Sequence, residues 1–345
     1  MLTLEQQTTY LQQVSRTFAL TIPLLPARLS DWVGNAYLLC RIVDTIEDDA
    51  ELSCQDKQHH IAKFLDAFSD PLSAPDFVIH LLPMISASTP EHERALLLDT
   101  PAVLARSHSY PTAVQDILKQ AVTIMSRGML DQQGKAITGQ QELDRYCYVV
   151  AGVVGELLTR LFAEYLPELK HRQERLLPLS VSFGLGLQLT NILKDVGEDG
   201  ARGVCWLPSE TLAKFGLRAD SLVSAPAEQQ ARLMAHFVAL ARGHLADALE
   251  FTLQLPACEQ GLRQFCLWAI AMALLTLQRI MATPGFTSGL QVKIRRGQVH
   301  TLILMCRLLG KQDRLLRCYF SWLGRWLPKE ARDPHAVWRA VSCWQ

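Results

Sequence analysis

Asn191-Ile192-Leu193-Lys194-Asp195-Val196-Gly197-Glu198-Asp199 places three carboxylates at helical spacing directly after an apolar run. Offsets of three and four residues share one helix face, so Asp195, Glu198 and Asp199 form one patch. Extending the same face backwards adds Gln188 and Asn191, and the five residues make a continuous stripe. Far upstream, Asp44-Thr45-Ile46-Glu47-Asp48-Asp49 repeats the Asp-x-x-Glu-Asp pattern on another apolar segment, Tyr37 to Val43. Like charges stacked in this way destabilise a helix by a few tenths of a kcal/mol per pair, roughly 0.2–0.5. One such patch is an ordinary solvated helix face. Two copies on apolar helices call for a hard cation, and magnesium takes one or two carboxylates together with substrate phosphates. The expectation is a magnesium and diphosphate site on two helices.

The rest of the chain reads as helical. Residues 3 to 20 carry Leu4, Leu11, Val14 and Phe18 on one face, and Pro26 suits the first turn of the helix that ends in the first acidic motif. Further helices are expected over Thr112–Gln132, Glu142–Tyr165, Leu179–Asp199, residues 226–253 and 257–281, and from about Val292. No alternating strand and no hairpin signal interrupts them. This gives an all-α chain of one domain over residues 1–345, with residues 311–345 a separate helical tail.

Composition narrows the partners. Lys plus Arg and Asp plus Glu number 34 each, so the formal net charge is zero, which speaks against nucleic acid. The nine cysteines are scattered, without zinc spacing, and read as reduced thiols of a cytoplasmic protein. The longest uncharged apolar run, Phe265 to Leu277, is too short to cross a bilayer. The tail holds seven Lys or Arg against three acids between Lys311 and Gln345, with Trp322, Trp326, Trp338 and Trp344 interleaved. A helix packed on the core and a peripheral lipid contact are both open readings. The working expectation for assembly is a monomer.

A second signal is Tyr146-Cys147-Tyr148-Val149-Val150-Ala151-Gly152-Val153-Val154-Gly155. Glycine inside a helix costs about 1 kcal/mol against alanine, so its presence points to close approach by another helix or by a ligand. A diphosphate also needs cations, and guanidinium groups meet phosphate oxygens bidentately. Arg16, Arg41, Arg202 and the run Lys293-Ile294-Arg295-Arg296 are the candidates, although Arg41 could equally pair with Asp44 or Asp48.

Taken together, Ser15-Arg16-Thr17-Phe18, Asp44 to Asp48, Tyr146 to Gly152 and Gln188 to Asp199 resemble the squalene and phytoene synthase family of head-to-head prenyl synthases. The resemblance implies an isoprenoid synthase fold, a helical bundle around an apolar cavity. It implies that Asp44, Glu47, Asp48, Asp195, Glu198 and Asp199 serve magnesium and prenyl diphosphate, with Asp44, Asp48, Asp195, Asp199 and Tyr146 as the catalytic set. Arg16, Arg41, Gln188 and Arg202 are then assigned to the diphosphate of two farnesyl diphosphate molecules. Val292 to Gln298 resembles a segment that lies near NADPH in eukaryotic-type members, which assigns Asn191, Lys293 and Arg295 to that cofactor and implies reduction to squalene. Asp195 to Gly203 reads more like bacterial members that use no reductant, so dehydrosqualene, phytoene or presqualene diphosphate is the alternative product.

Overall fold

The computed structural model describes residues 1–15, 18–222 and 224–343, all of them in helices, turns and loops with no strand among them. These residues form two compact units. The first comprises the described residues of 1–133 and 157–171, with Cys343. The second comprises residues 134–156 and 172–342.

In the first unit the helix Ala27–Asp48 is the hub. Helices Leu4–Val14, Cys54–Ser69, Glu91–Leu98, Thr100–Ser107 and Thr112–Gln132 all pack on it. Its apolar residues are used on nearly every side, with Leu29, Leu38, Leu39, Ile42, Val43 and Ile46 fully buried. Each such side chain contributes about 1.5–3 kcal/mol relative to exposure. A buried Asn35 donates to Ser107 Oγ at 2.7 Å, which fixes one neighbour's rotation. The helix stops at Asp48 because Asp49 turns away: its carboxylate accepts from the backbone N–H groups of Glu51, Leu52 and Ser86 and from Thr89 Oγ1. Burial opposes the charge on Asp49, yet these donors hold its carboxyl below the usual range.

The second unit is built on the helix Gln173–Ala201. It lies against Ala227–Gln254, Gln260–Ala282, Gln140–Cys147 and Pro334–Val341. Glycines set the closest approaches. A Cβ on Gly184 would stand 2.3 Å from the Ala151 carbonyl oxygen, and one on Gly155 would stand 2.1 Å from that of Ser180. The small residues of the Tyr146–Gly155 segment therefore serve helix packing against Gln173–Ala201.

Three expectations are corrected. The long helix foreseen over Glu142–Tyr165 is interrupted by a π-helical turn, Tyr148–Gly152, between Gln140–Cys147 and Val153–Tyr165. A π turn inserts a residue into the helix and re-aims the side chains before it, commonly at functional sites. The second acidic helix starts at Gln173 rather than Leu179, passing through Pro178, whose first turns are held by buried Leu176 and Leu177. The helix expected from Val292 begins at Arg296. Val292 is itself fully buried in the preceding loop, and Gln298 Oε1 accepts from the Arg295 backbone N–H to start the helix.

By length and composition three helical stretches could cross a membrane: Gln140–Tyr165, Pro167–Ala201 and Gln260–Ala282. The single-run criterion missed them because it stopped at the first charge. Most of each apolar window, 61%, 78% and 67% respectively, is buried within the protein.

Candidate active site

The first acidic cluster is built by the last turns of Ala27–Asp48. Asp44 and Glu47 are half-buried and Asp48 is exposed. Burial pushes the Asp44 carboxyl up to about 7; Arg41 opposes the rise, while Asp48, Glu47 and Glu93 add to it. Burial likewise raises Glu47, helped by Asp48 and opposed by Lys57 and by the Gln133 amide, which donates to Glu47 Oε1 at 3.3 Å. Glu93, on Glu91–Leu98, was not foreseen. It accepts from Arg41 Nη2 and so adds a fourth acid to the cluster. Nothing in Glu91-His92-Glu93-Arg94 marked it, because it comes from a different helix. Arg41 thus pairs mainly with Glu93, at 4.0 Å from Asp44. Its Nε is buried and no atom of the described residues accepts from it. A phosphate oxygen would satisfy that donor. Arg16 lies outside the described residues.

The second cluster occupies the end of Gln173–Ala201. Gln188 and Asp195 are half-buried, and Asn191 and Glu198 are exposed, on a helix whose other faces are buried. Four of the five residues of the predicted stripe are therefore accessible on the helix surface, and the fifth, Asp199, is not. Burial raises the Asp195 carboxyl; Lys194, with Nζ at 3.1 Å, opposes this, and Asp199 and Glu198 add to it. Asp199 is buried and accepts from Arg202 Nη2 three residues on, so Arg202 is engaged by the acid it was expected to assist.

A loop frames this cluster. Ser288 Oγ and the Gly289 backbone N–H both donate to Glu198 Oε1 at 2.8 Å. Burial works against the charge on Glu198, but these donors hold its carboxyl below the ordinary value. The loop can lie this close because Gly197 has no side chain: a Cβ there would stand 2.0 Å from the Thr287 carbonyl oxygen. The same loop leads into Lys293 and Arg295, both exposed, and so brings that basic segment to the second acidic helix.

Tyr146 reaches this cluster through a residue that sequence reasoning did not single out. Its ring stacks on Trp206 with centroids 4.0 Å apart and planes at 9°. Trp206 in turn lines a small hollow with Ile192, Val196, Asp199 and Cys205. Trp206 follows the Gly200–Gly203 break, and only the fold shows that it returns to the tyrosine. Tyr148 does something else. It is fully buried and donates its phenol to Glu156 Oε2 at 2.9 Å. Glu156 Oε1 also accepts from Trp338 Nε1 at 2.6 Å and from Ser342 Oγ at 2.8 Å. Trp338 therefore anchors the C-terminal helix to Glu156 beside the π turn, the core-packed one of the two readings left open for that part of the tail; Trp344 lies outside the described residues.

No group of three or more His, Cys, Asp or Glu side chains among the described residues is preassembled to hold a metal ion. Magnesium does not require one, since it keeps waters and takes phosphate oxygens as ligands. Asp44 and Asp195, raised by burial and further by the acids around them, suit a divalent cation, which would offset that crowding.

The family described as squalene/phytoene synthase matches residues 11–298. The chain belongs to the squalene/phytoene synthase family. Squalene synthase of Bos taurus is 30% identical over 329 residues, covering 94% of this chain and 74% of the relative. The Saccharomyces cerevisiae enzyme is 31% identical over 314 residues, covering 87% and 66%. Among solved structures, a ligand complex of TcSQS superposes with a TM-score of 0.78 at 23% identity, covering 98% of this chain and 96% of that one. A dehydrosqualene synthase complex gives 0.61 at 19% identity, covering 92% and 96%. These similarities show the isoprenoid synthase fold.

Proposed function

We propose that this chain joins two molecules of farnesyl diphosphate head to head and carries the product on to squalene. It is a transferase of isoprenoid synthesis. The observation that carries the assignment of residues is the Tyr146–Trp206 stack beside Asp199, which puts a phenol, an aromatic face and a carboxylate on one side of the second acidic helix.

Asp44, Glu47, Asp48, Asp195, Glu198 and Asp199 would hold magnesium, which supplies Lewis-acid neutralisation of the leaving diphosphate when bound. Arg41 orients that diphosphate through its unpartnered Nε, and a guanidinium placed in advance stabilises charge as it develops on the departing oxygens. Arg16, Gln188 and Arg202 are assigned to the same anion. The Trp206 ring and the Tyr146 ring would flank the allylic chain, where π faces favour positive charge. Tyr146 O–H assists loss of the proton that closes the cyclopropane of presqualene diphosphate. A phenol near pKa 10 is a weak base, so the proton passes on to released diphosphate. Asn191, Lys293 and Arg295 would hold NADPH, which supplies hydride to the final cation.

The deciding assay is farnesyl diphosphate and magnesium with and without NADPH, read by product mass. Squalene in the presence of NADPH and its absence otherwise is the expected result. Dehydrosqualene or presqualene diphosphate formed equally in both arms would replace this reading with the reductant-independent one.

A further inference from the structure

The last helix of the second unit grips the segment that carries Tyr146 from both sides of that residue. Asp144 and Tyr148 stand two positions before it and two after. Four apart, they share one face of Gln140–Cys147 and its continuation into the π turn, while Tyr146 lies towards the opposite face. Asp144 is buried and receives both arms of the Arg332 guanidinium, Nη1 on Oδ1 at 2.8 Å and Nη2 on Oδ2 at 2.6 Å. Gln140 Nε2 donates to the same Oδ1 at 2.8 Å. Tyr148 is held through Glu156, whose other oxygen accepts from Trp338 and Ser342. Gln140–Cys147 has eight residues, too few to keep an orientation by its own hydrogen bonds. A buried bidentate guanidinium–carboxylate pair fixes an angle as well as a distance.

The gripping segment is itself firmly seated. Val337 and Val341 are buried, and Asp333 caps Pro334–Val341 by accepting from the His335 backbone N–H at 3.0 Å. The Glu330 backbone N–H donates to the Ala239 carbonyl at 2.9 Å. The chain passes so close to Gly243 that a Cβ there would overlap the Glu330 carbonyl oxygen. Asp144 and Tyr148 are thus drawn to a fixed body behind the helix, and the side opposite them, with the Tyr146 ring on Trp206, is fixed with them.

We propose that residues 330–342 are a clasp that sets the Tyr146 hydroxyl against the reacting chain, with Arg332 and Trp338 as positioning residues. The proposal rests on the catalytic reading of Tyr146. A displaced phenol delays proton loss after coupling, so water competes for the allylic cation: its oxygen bonds to the cationic carbon, a proton passes to solvent, and the free prenyl alcohol results. The test uses the full chain and two readouts. One is the ratio of prenyl alcohol to coupled product, which does not depend on how much enzyme is folded. The other is the near-ultraviolet circular dichroism of the Tyr146–Trp206 stack, assigned as the signal lost in Trp206→Phe. Arg332→Gln should raise the ratio about tenfold and weaken the stack signal. Arg332→Lys, which keeps the charge but not the fork, should do so less. Gly243→Ala displaces the clasp without altering a charge, and replaces Arg332→Gln if that variant does not fold. Parent values of both readouts in the folded variant overturn the proposal. A weakened stack at the parent ratio overturns it too, and Tyr146→Phe then shows which part failed: a raised ratio there keeps the tyrosine and rejects the clasp, whereas a parent ratio rejects the tyrosine.

Discussion

Replacing Gly197 with alanine inserts one methyl group where the second acidic helix meets the Pro284–Gly289 loop. The new Cβ would stand 2.0 Å from the Thr287 carbonyl oxygen, whereas ordinary contact begins at 3.4 Å, so helix and loop must separate by more than an ångström. Overpacking of this kind costs about 1–3 kcal/mol. Alanine returns up to about 1 kcal/mol through its helix propensity. The retreat of the loop also breaks the donations from Ser288 and Gly289 to Glu198, and bonds to a charged group are each worth about 1.5–3 kcal/mol. Because Glu198 is exposed, water replaces most of those two bonds, and the net expectation is a loss of about 1–4 kcal/mol. Urea denaturation followed by circular dichroism measures it, with product mass read in parallel. Release of Glu198 and displacement of the loop that carries Lys293 and Arg295 should lower NADPH-dependent squalene formation more than diphosphate release. Gly297→Ala is the control: nothing lies within 4 Å of its Cβ, so that variant should match or slightly exceed the parent in stability. Gly197→Ala with wild-type stability and wild-type product would refute the packing argument.

Glu156→Ala removes the acceptor of three donors, Tyr148, Trp338 and Ser342, in a fully buried position, and should cost about 3–5 kcal/mol in the same denaturation experiment. His244 is held neutral by burial, which pushes its imidazole down to about 4; the folded state therefore resists a proton that the unfolded chain accepts below about 6.5. Stability should be unaffected above that pH and fall as pH drops from about 6.5 towards 4, by about 3 kcal/mol in all, and His244→Gln should flatten this slope in unfolding titrations. Tyr146→Phe keeps the stack on Trp206 and removes only the hydroxyl, so kcat should fall by about 10²-fold with KM little changed; an unchanged kcat rules out the phenol.

Periodicity alone carried the all-α reading, because the long helices are apolar on one or more faces and their caps and prolines punctuate them. Thr112–Gln132 was legible to the residue, with proline before it and a run of core positions at helical spacing. The π turn was not legible. Its sequence, Tyr148-Val149-Val150-Ala151-Gly152, is compatible with an ordinary helix, and the bulge depends on packing against Gln173–Ala201. The acidic patches were legible because their members are neighbours in sequence. Glu93, Trp206 and Ser288 were not, since each reaches its cluster from a separate element and has no local pattern of its own. The same reason explains Glu198. From spacing it is one more metal-facing acid, whereas in the fold one of its oxygens is already committed to a loop.

The proposed function makes the Asp44 carboxylate and the Asp195 carboxylate each necessary for ionisation. Single-turnover release of inorganic diphosphate from farnesyl diphosphate, with magnesium, tests it in the parent, Asp44→Asn and Asp195→Asn. Both variants should fall by about 10³-fold or more while keeping the parent's helical circular dichroism. Release at the parent's rate from either folded variant would contradict the account.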